Sequence, residues 1–428
     1  MNQFLYKLTL ILFCPMYLFT SPPKKLPPLP KWHGMQTYTS HTKEDCCKRA
    51  TFKNTVPFNG KDETLKGQSE KWRTHMKFFG QRLKQHKVAA LYFVHGTFVG
   101  RDPFGFYRLL EQIAPKSMRA FIPKWKKSTK KQNDWLLQDN GNFTDKYRKV
   151  FCEAIGYKIP CARFSWSSEN HHFARLQGAI ALVRKLHKHT NKLPKKSRIL
   201  LLGHSHAGQI FALFTHFLQD TPVSRGVLPI GLKKSEQAAF AKKVSRLQSF
   251  RYDFVTFGTP PRYTWANGWP RDDDQLIHII NHRGKSKRGG SLRDILTFRP
   301  AKGDYVQQWG ITGSDIVSLG TIGKKNKRLD KILGPGADLS RWRKWIKKRM
   351  RVHHKGLTIL TDYKDRPKHP IDWMQSLFGH GVYTRMETML FNCTLLAKHL
   401  YPRQLMNAHP KIMPAQKKPK TPTPAPEW

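Results

Sequence analysis

The chain has 428 residues, 39% of them hydrophobic, enough for one large α/β domain with insertions or one domain and a smaller appendage. Its 77 basic and 28 acidic residues leave a formal charge of +49, which favours contact with anionic lipid, polyanions or nucleic acid but says nothing of fold. Six cysteines, at positions 14, 46, 47, 152, 161 and 393, are too few for a disulfide scaffold in a chain this long, and no CxxC pair supports a zinc or redox site.

Taken in chain order, residues 1–20 carry a single lysine, Lys7, before an almost wholly apolar stretch from Leu8 to Phe19. That pattern reads as a signal h-region or a membrane-proximal anchor, and so as a secreted or membrane-associated protein. A soluble N-terminal arm on a cytoplasmic protein is the other reading. The stretch is short for a bilayer span and contains Pro15. Residues 21–85, rich in proline and lysine, read as a linker and a loosely organised lead-in.

The folded domain is expected over 86–385. Val88 to Val94 (VAALYFV) reads as a buried strand ending in HGTFVG, followed by a helix from Phe104 to Ile113 and a basic excursion over 122–134. A helix over Tyr147 to Ile155, a strand over Ile159 to Trp166 and a helix over Phe173 to His187 come next. The run Ile199 to Leu202 is a strand that leads directly into GHSHAG, residues 203–208, and then a helix from Gln209 to Gln219. Beyond a polar, basic insertion, Tyr252 to Phe257 forms a strand ending in GTP, and Leu276 to Ile280 forms another. Strands alternating with helices, each strand an apolar run, predict a mostly parallel central sheet with flanking helices. After residue 320 the chain becomes basic, with tryptophans and leucines interspersed. Residues 386–428 read as a C-terminal segment ending in a disordered Pro/Lys-rich tail.

GHSHAG is where chemistry enters. A sharp strand-to-helix turn tolerates little bulk around its serine, and Gly203 and Gly208 meet that need. A serine hydroxyl is a poor nucleophile unless an imidazole takes its proton and a carboxylate orients that imidazole. It also needs N–H donors where an oxyanion forms. His206, next after Ser205, supplies one such amide. The other is expected after the first domain strand, where Gly96 lets the backbone approach closely and Thr97 or Phe98 offers its N–H.

Asp304, alone between Gly303 and Tyr305-Val306, suits a carboxylate held at a strand end, with Asp315 in reserve. The Asp272–Asp274 run reads as a solvated loop. His380, between two glycines, suits a base on a loop of mobile backbone over the serine, with His354 and His369 behind it. His353-His354 lies in a very basic run and reads as solvated or polyanion-binding. His204 and His206 flank the serine and are expected to be held by the backbone of the turn.

With these residues in view, the chain resembles the α/β-hydrolase superfamily, and within it the lipase-like serine esterases, over about residues 88–385. His95-Gly96 looks like that family's oxyanion loop, GHSHAG like its nucleophile elbow, and Gly258-Thr259-Pro260 like the strand end that follows. The likeness weakens over 222–250 and 316–370. The resemblance implies an α/β-hydrolase fold and ester hydrolysis through an acyl-enzyme on Ser205, with His380 as base and then acid and Asp304 orienting it. It implies no metal and no cofactor.

The positive charge suggests a lipid or phospholipid ester at an anionic membrane surface, and the Trp, Lys, Arg and Ile of 341–352 suit such a surface. An acyltransferase or thioesterase using the same three residues is a further reading within enzymes. The competing class is a polyanion- or nucleic-acid-binding protein on a hydrolase scaffold. Charge favours it, whereas the lack of a zinc finger, RRM signature or helix-turn-helix weighs against it.

Overall fold

The computed structural model describes residues 38–40, 47–53, 55–97, 139–283, 303–310, 315–316, 318, 320–336, 351–365 and 379–402. The N-terminal apolar stretch, the expected helix over Phe104 to Ile113, the excursion over 122–134, most of the Trp/Lys/Arg segment and the C-terminal tail lie outside them.

Strand β3 (Val88–Val94) alternates its side chains between two apolar layers, Tyr92 and Val94 on one side and Leu91 and Phe93 on the other. β5 (Arg198–His204) does the same with Ile199 and Leu201 against Leu200 and Leu202. A strand covered on both faces has to be apolar at successive positions, which is why these segments are continuous hydrophobic runs. They join β2 (Cys47–Thr51), β4 (Cys161–Phe164), β6 (Arg251–Phe257), β7 (Gln275–Asn281) and β9 (Leu357–Asp362) in a seven-stranded sheet of order β2-β9-β7-β6-β5-β3-β4, parallel at every pairing. A separate two-stranded antiparallel pair is made by β1 (Tyr38–Ser40) and β8 (Arg351–His353).

One layer holds α1 (Glu70–Gln85), α2 (Asp145–Ala154) and α9 (Met389–His399). The other holds α3 (His172–Thr190), α4 (Ala207–Leu218), α5 (Pro222–Gly231), α6 (Lys234–Gln248) and α8 (Gly320–Leu333). A short helix, α7 (Tyr305–Gly310), follows the chain's return from β7. This mixed α/β architecture, a parallel central sheet flanked by helices, is consistent with the broad α/β-hydrolase-like superfamily. Among the described residues, no helix is long and apolar enough to cross a membrane.

Several segments read as peripheral belong to this framework. The lead-in contains the edge strand β2 and helix α1, whose Trp72, Met76, Phe79 and Leu83 form a fully buried stripe at helical spacing. Ser69 caps α1 by accepting a hydrogen bond from Trp72 N at 3.2 Å. The insertion over 222–250 is two helices, α5 and α6, and α6 packs through Phe240, Val244 and Leu247. The basic stretch after 320 forms α8, which buries Leu329 against the same layer. β9 (LTILTD) lies inside the sheet between β2 and β7, though its sequence is embedded in basic and polar text.

The strand order decides where a site can form. From β3 the chain crosses to β4 on one side, then returns to place β5 on the other. The loops leaving β3 and β5 therefore diverge in opposite directions and open a crevice at the carboxyl ends of the strands, the usual place for a ligand in an open α/β sheet. Val94 is in register with Gly203, so His95-Gly96-Thr97 and His204-Ser205-His206 emerge side by side there.

Candidate active site

Ser205 occupies the turn between β5 and α4 with φ of 56°, in the left-handed region, and its side chain is buried. Such a conformation costs a non-glycine residue about 1–2 kcal/mol and persists only where the surroundings over-determine it. Here Ser205 N donates to Phe257 O at 2.8 Å, and Ser205 O accepts from Thr259 Oγ1 at 2.6 Å and from Gly208 N at 3.2 Å. The turn is thus clamped from the end of β6.

The glycines around it answer to specific neighbours. A Cβ on Gly96 would stand 2.6 Å from Ser205 Cβ, one on Gly203 2.4 Å from the Phe211 ring, and one on Gly208 2.4 Å from Thr259 Oγ1. The close approach of the loop after β3 to the serine therefore depends on Gly96 having no side chain.

His95 is a structural residue of that loop. Its Nδ1 donates to Gly96 O at 2.9 Å, and its carbonyl accepts from Trp166 Nε1 at 2.9 Å, which ties the ends of β3 and β4 together. Thr97 Oγ1 hydrogen-bonds His206 Nδ1, joining the two loops that bear the candidate oxyanion donors. Burial, with the nearby Arg175 charge, holds the His206 imidazole well below its ordinary range, so it is neutral. Phe98 lies outside the described residues.

The carboxylate and imidazole expected from sequence meet in space. Asp304 follows a bridge between Gly303 and His282, its N–H donating to Asn281 O at 2.8 Å. Its Oδ1 accepts from Gln307 N at 2.8 Å, and its Oδ2 accepts from His380 Nδ1 at 2.7 Å and from Tyr383 OH at 2.7 Å. All three side chains, Asp304, His380 and Tyr383, are buried. His380 Nε2 is buried with no hydrogen-bond partner among the described residues, which leaves one imidazole nitrogen uncommitted beside an anchored one.

His380 and Ser205 are linked through shared neighbours. Ser205 N is bonded to Phe257 O, and at the next residue, Gly258, a Cβ would lie 3.1 Å from His380 Cε1. His204, adjacent to the serine, donates from Nε2 to His380 O at 2.8 Å, with ring centroids 4.5 Å apart. Burial, then the neighbouring His380, keeps His204 neutral and well below the ordinary histidine range.

The backbone under His380 is not the mobile loop that its flanking glycines suggested. Three successive carbonyls are engaged: Gly379 O by Asn281 Nδ2 at 2.9 Å, His380 O by His204, and Gly381 O by Gly141 N at 3.0 Å. Glycine here serves close packing, since a Cβ on Gly379 would stand 2.5 Å from Gly303 O.

Asp315 sits in a different cluster. Arg175 NH2 reaches its Oδ2 at 2.5 Å and Arg262 NH1 its Oδ1 at 2.8 Å. Burial alone would raise this carboxyl; the two guanidiniums override that and hold it well below the ordinary carboxylate range. His353, read as solvated, is buried: its Nε2 donates to Thr259 O at 3.0 Å and its ring stacks on His278 at 3.6 Å. Burial lowers it to about 4. Its neighbour His354 is exposed, and His369 lies outside the described residues.

The Asp272–Asp274 run divides in the same way. The first two are exposed, but Asp274 is buried, accepts from Tyr252 N at 2.6 Å and pairs with Arg271. Tyr383 was not anticipated; the signal for it was weak, an aromatic three residues beyond His380.

Among the described residues, no group of three or more His, Cys, Asp or Glu side chains is placed to hold a metal ion. No protein-family model matches the chain. No curated protein and no solved structure matches it.

Proposed function

We propose that this protein is a serine hydrolase that cleaves carboxylic esters through an acyl-enzyme. The observation that carries the reading is the His380–Asp304 pair, 2.7 Å between Nδ1 and Oδ2, with the opposite imidazole nitrogen unpartnered among the described residues, and Ser205 held at left-handed φ next to His204, which bonds His380 O. A histidine fixed at Nδ1 by a carboxylate has Nε2 as the nitrogen that accepts a proton.

In this reading Ser205 Oγ attacks the ester carbonyl while His380 Nε2 takes its proton, and Asp304 stabilises the imidazolium without becoming protonated. The carbonyl oxygen, now an oxyanion, is received by the backbone N–H groups of His206 and Thr97; donors of this kind contribute about 3–4 kcal/mol each at the transition state. Collapse breaks the ester C–O bond, the alcohol leaves with the proton from His380, and water repeats the sequence to release the acid.

For the substrate, the supporting observation is the exposed face of α8. Lys324, Lys327, Arg328 and Lys331 lie at i, i+3, i+4 and i+7, one side of the helix. The helix is joined to the start of α3 by Asn326 Oδ1, which accepts from Phe173 N at 2.8 Å. A basic stripe there favours esters presented at an anionic lipid surface.

The test is hydrolysis by purified full-length protein and by Ser205→Ala, on short and long acyl esters and on anionic and zwitterionic phospholipid vesicles, with fluorophosphonate labelling in parallel. The expected result is turnover and labelling that the substitution abolishes, with faster turnover on anionic vesicles. Folded protein that neither labels nor hydrolyses any member of the panel would refute the reading. Transfer of the acyl group to an added alcohol in preference to water would reassign the same residues to an acyltransferase.

A further inference from the structure

Asp304 Oδ2 accepts two hydrogen bonds, and only one of them comes from the histidine. The other comes from the Tyr383 hydroxyl at 2.7 Å, and that hydroxyl in turn accepts from Asn281 N at 2.7 Å. Asn281 ends β7, where its side-chain amide holds Gly379 O and its carbonyl accepts from Asp304 N. One phenol therefore connects the strand end, the carboxylate and the segment carrying His380. We propose that Tyr383 is a positioning residue for the Asp304–His380 pair, its hydroxyl sharing Oδ2 with the imidazole and thereby limiting how strongly the carboxylate favours the protonated ring.

The physical basis is competition for charge. A carboxylate that already accepts from Gln307 N and Tyr383 OH has part of its negative charge satisfied by neutral donors. What remains to stabilise an imidazolium is reduced, so the ring gives up its proton more readily. A base that must be neutral to accept the serine proton gains from this, because a larger fraction is competent at a given pH. The same contact helps hold the carboxylate plane, since Oδ2 accepts from both the imidazole and the phenol and rotation away from either breaks a hydrogen bond.

The remaining groups around the ring do not substitute for this contact. His204 faces it from β5 and is kept neutral by burial; His206, beyond Ser205, is likewise neutral. Tyr363, just past β9, packs edge-on against Tyr383 at 5.3 Å but gives its hydroxyl to Asn392. Among the described residues, Asp304 is thus the group bonded to the imidazole ring, and Gln307 N and Tyr383 OH are the other donors to its carboxylate.

The inference rests on the hydrolase reading for its meaning, but its test does not. The His380 ring would be titrated by NMR in histidine-labelled full-length protein, its resonance assigned by loss in His380→Gln, alongside the pH profile of kcat/KM. Tyr383→Phe is expected to raise the His380 midpoint by about one pH unit and to move the acid limb of kcat/KM up by the same amount, with KM little changed. Placing 3-fluorotyrosine at position 383, a stronger donor of the same shape that retains the bond to Asn281 N, is expected to lower both. Tyr363→Phe, which also removes a buried hydroxyl, should leave the midpoint in place.

A midpoint that moves in neither Tyr383 protein overturns the proposal whatever the activity. If Tyr383→Phe does not fold, the fluorotyrosine protein decides alone. Shifted midpoints without ester hydrolysis in any protein would uphold the clamp and remove the hydrolase reading, so the two can fail separately.

Discussion

Gly258 offers the sharpest test of the site's packing. It has φ of 59°, and a Cβ there would stand 2.5 Å from Asp304 Oδ2, 2.7 Å from the Tyr383 ring and 3.1 Å from His380 Cε1. Gly258→Ala therefore carries two penalties. The left-handed backbone costs about 1–2 kcal/mol for any residue with a Cβ, and forcing a methyl into the packed pair costs about 1–3 kcal/mol more.

Gly268→Ala separates the two. Its φ is 73°, but its Cβ would meet only Gln219 Nε2, at 3.7 Å, so it carries the backbone penalty alone. In equilibrium denaturation Gly258→Ala should be the more destabilised by about 1–3 kcal/mol. In the proposed ester hydrolysis it should lose about a hundredfold in kcat/KM, the scale of an ångström's displacement of a group the proposal makes catalytic, while Gly268→Ala stays near wild type. Equal stability and equal activity of the two variants would refute the placement of Asp304, Tyr383 and His380 around Gly258.

Two further outcomes follow from buried titratable groups. Asp315→Asn leaves Arg175 and Arg262 buried without their counter-ion and should destabilise the protein by about 3–5 kcal/mol, read by chemical denaturation at pH 7. Because the folded carboxyl is depressed, its contribution is complete above the ordinary value of 3.8 and is withdrawn as pH falls below it, so the wild-type advantage over Asp315→Asn should shrink there. His353, lowered to about 4 from 6.5, behaves in the opposite chemical sense but with the same pH sign: between those values the unfolded chain binds the proton and the folded one does not. Its contribution is lost as pH falls from 6.5 toward 4, at about 1.4 kcal/mol per pH unit, and His353→Gln should flatten that slope by one proton's worth in denaturation curves at pH 7, 6 and 5. An unchanged slope would place the proton uptake elsewhere.

Legibility differed by element for physical reasons. β3, β5, β6 and β7 announce themselves because strands covered on both faces are apolar at most positions. β9 escaped because Thr358 and Thr361 interrupt its run and basic text surrounds it, although both threonines are buried. α1 and α6 were hidden by polar surroundings, yet the spacing of Trp72, Met76, Phe79 and Leu83, and of Phe240, Val244 and Leu247, is helical. Composition averaged over a long window concealed a period that a short window contains.

The site divides along the same line. The sequence by itself determined the strand–turn–helix around Ser205, since apolar run, small residues and apolar helix are all local properties, and it nominated Asp304 and His380 by chain order. It left Asp315, His354 and His369 as rivals and counted His353 among solvated residues. Only tertiary structure decided which carboxylate meets which imidazole. Asp304 and His380 are 76 positions apart and meet at the carboxyl end of the sheet, beside the end of β7, while Asp315 is drawn to Arg175 and Arg262. A hydrogen bond depends on ångström-scale separation of side chains, and for groups far apart in sequence that separation is set by the order of strands in the sheet, which no local pattern encodes.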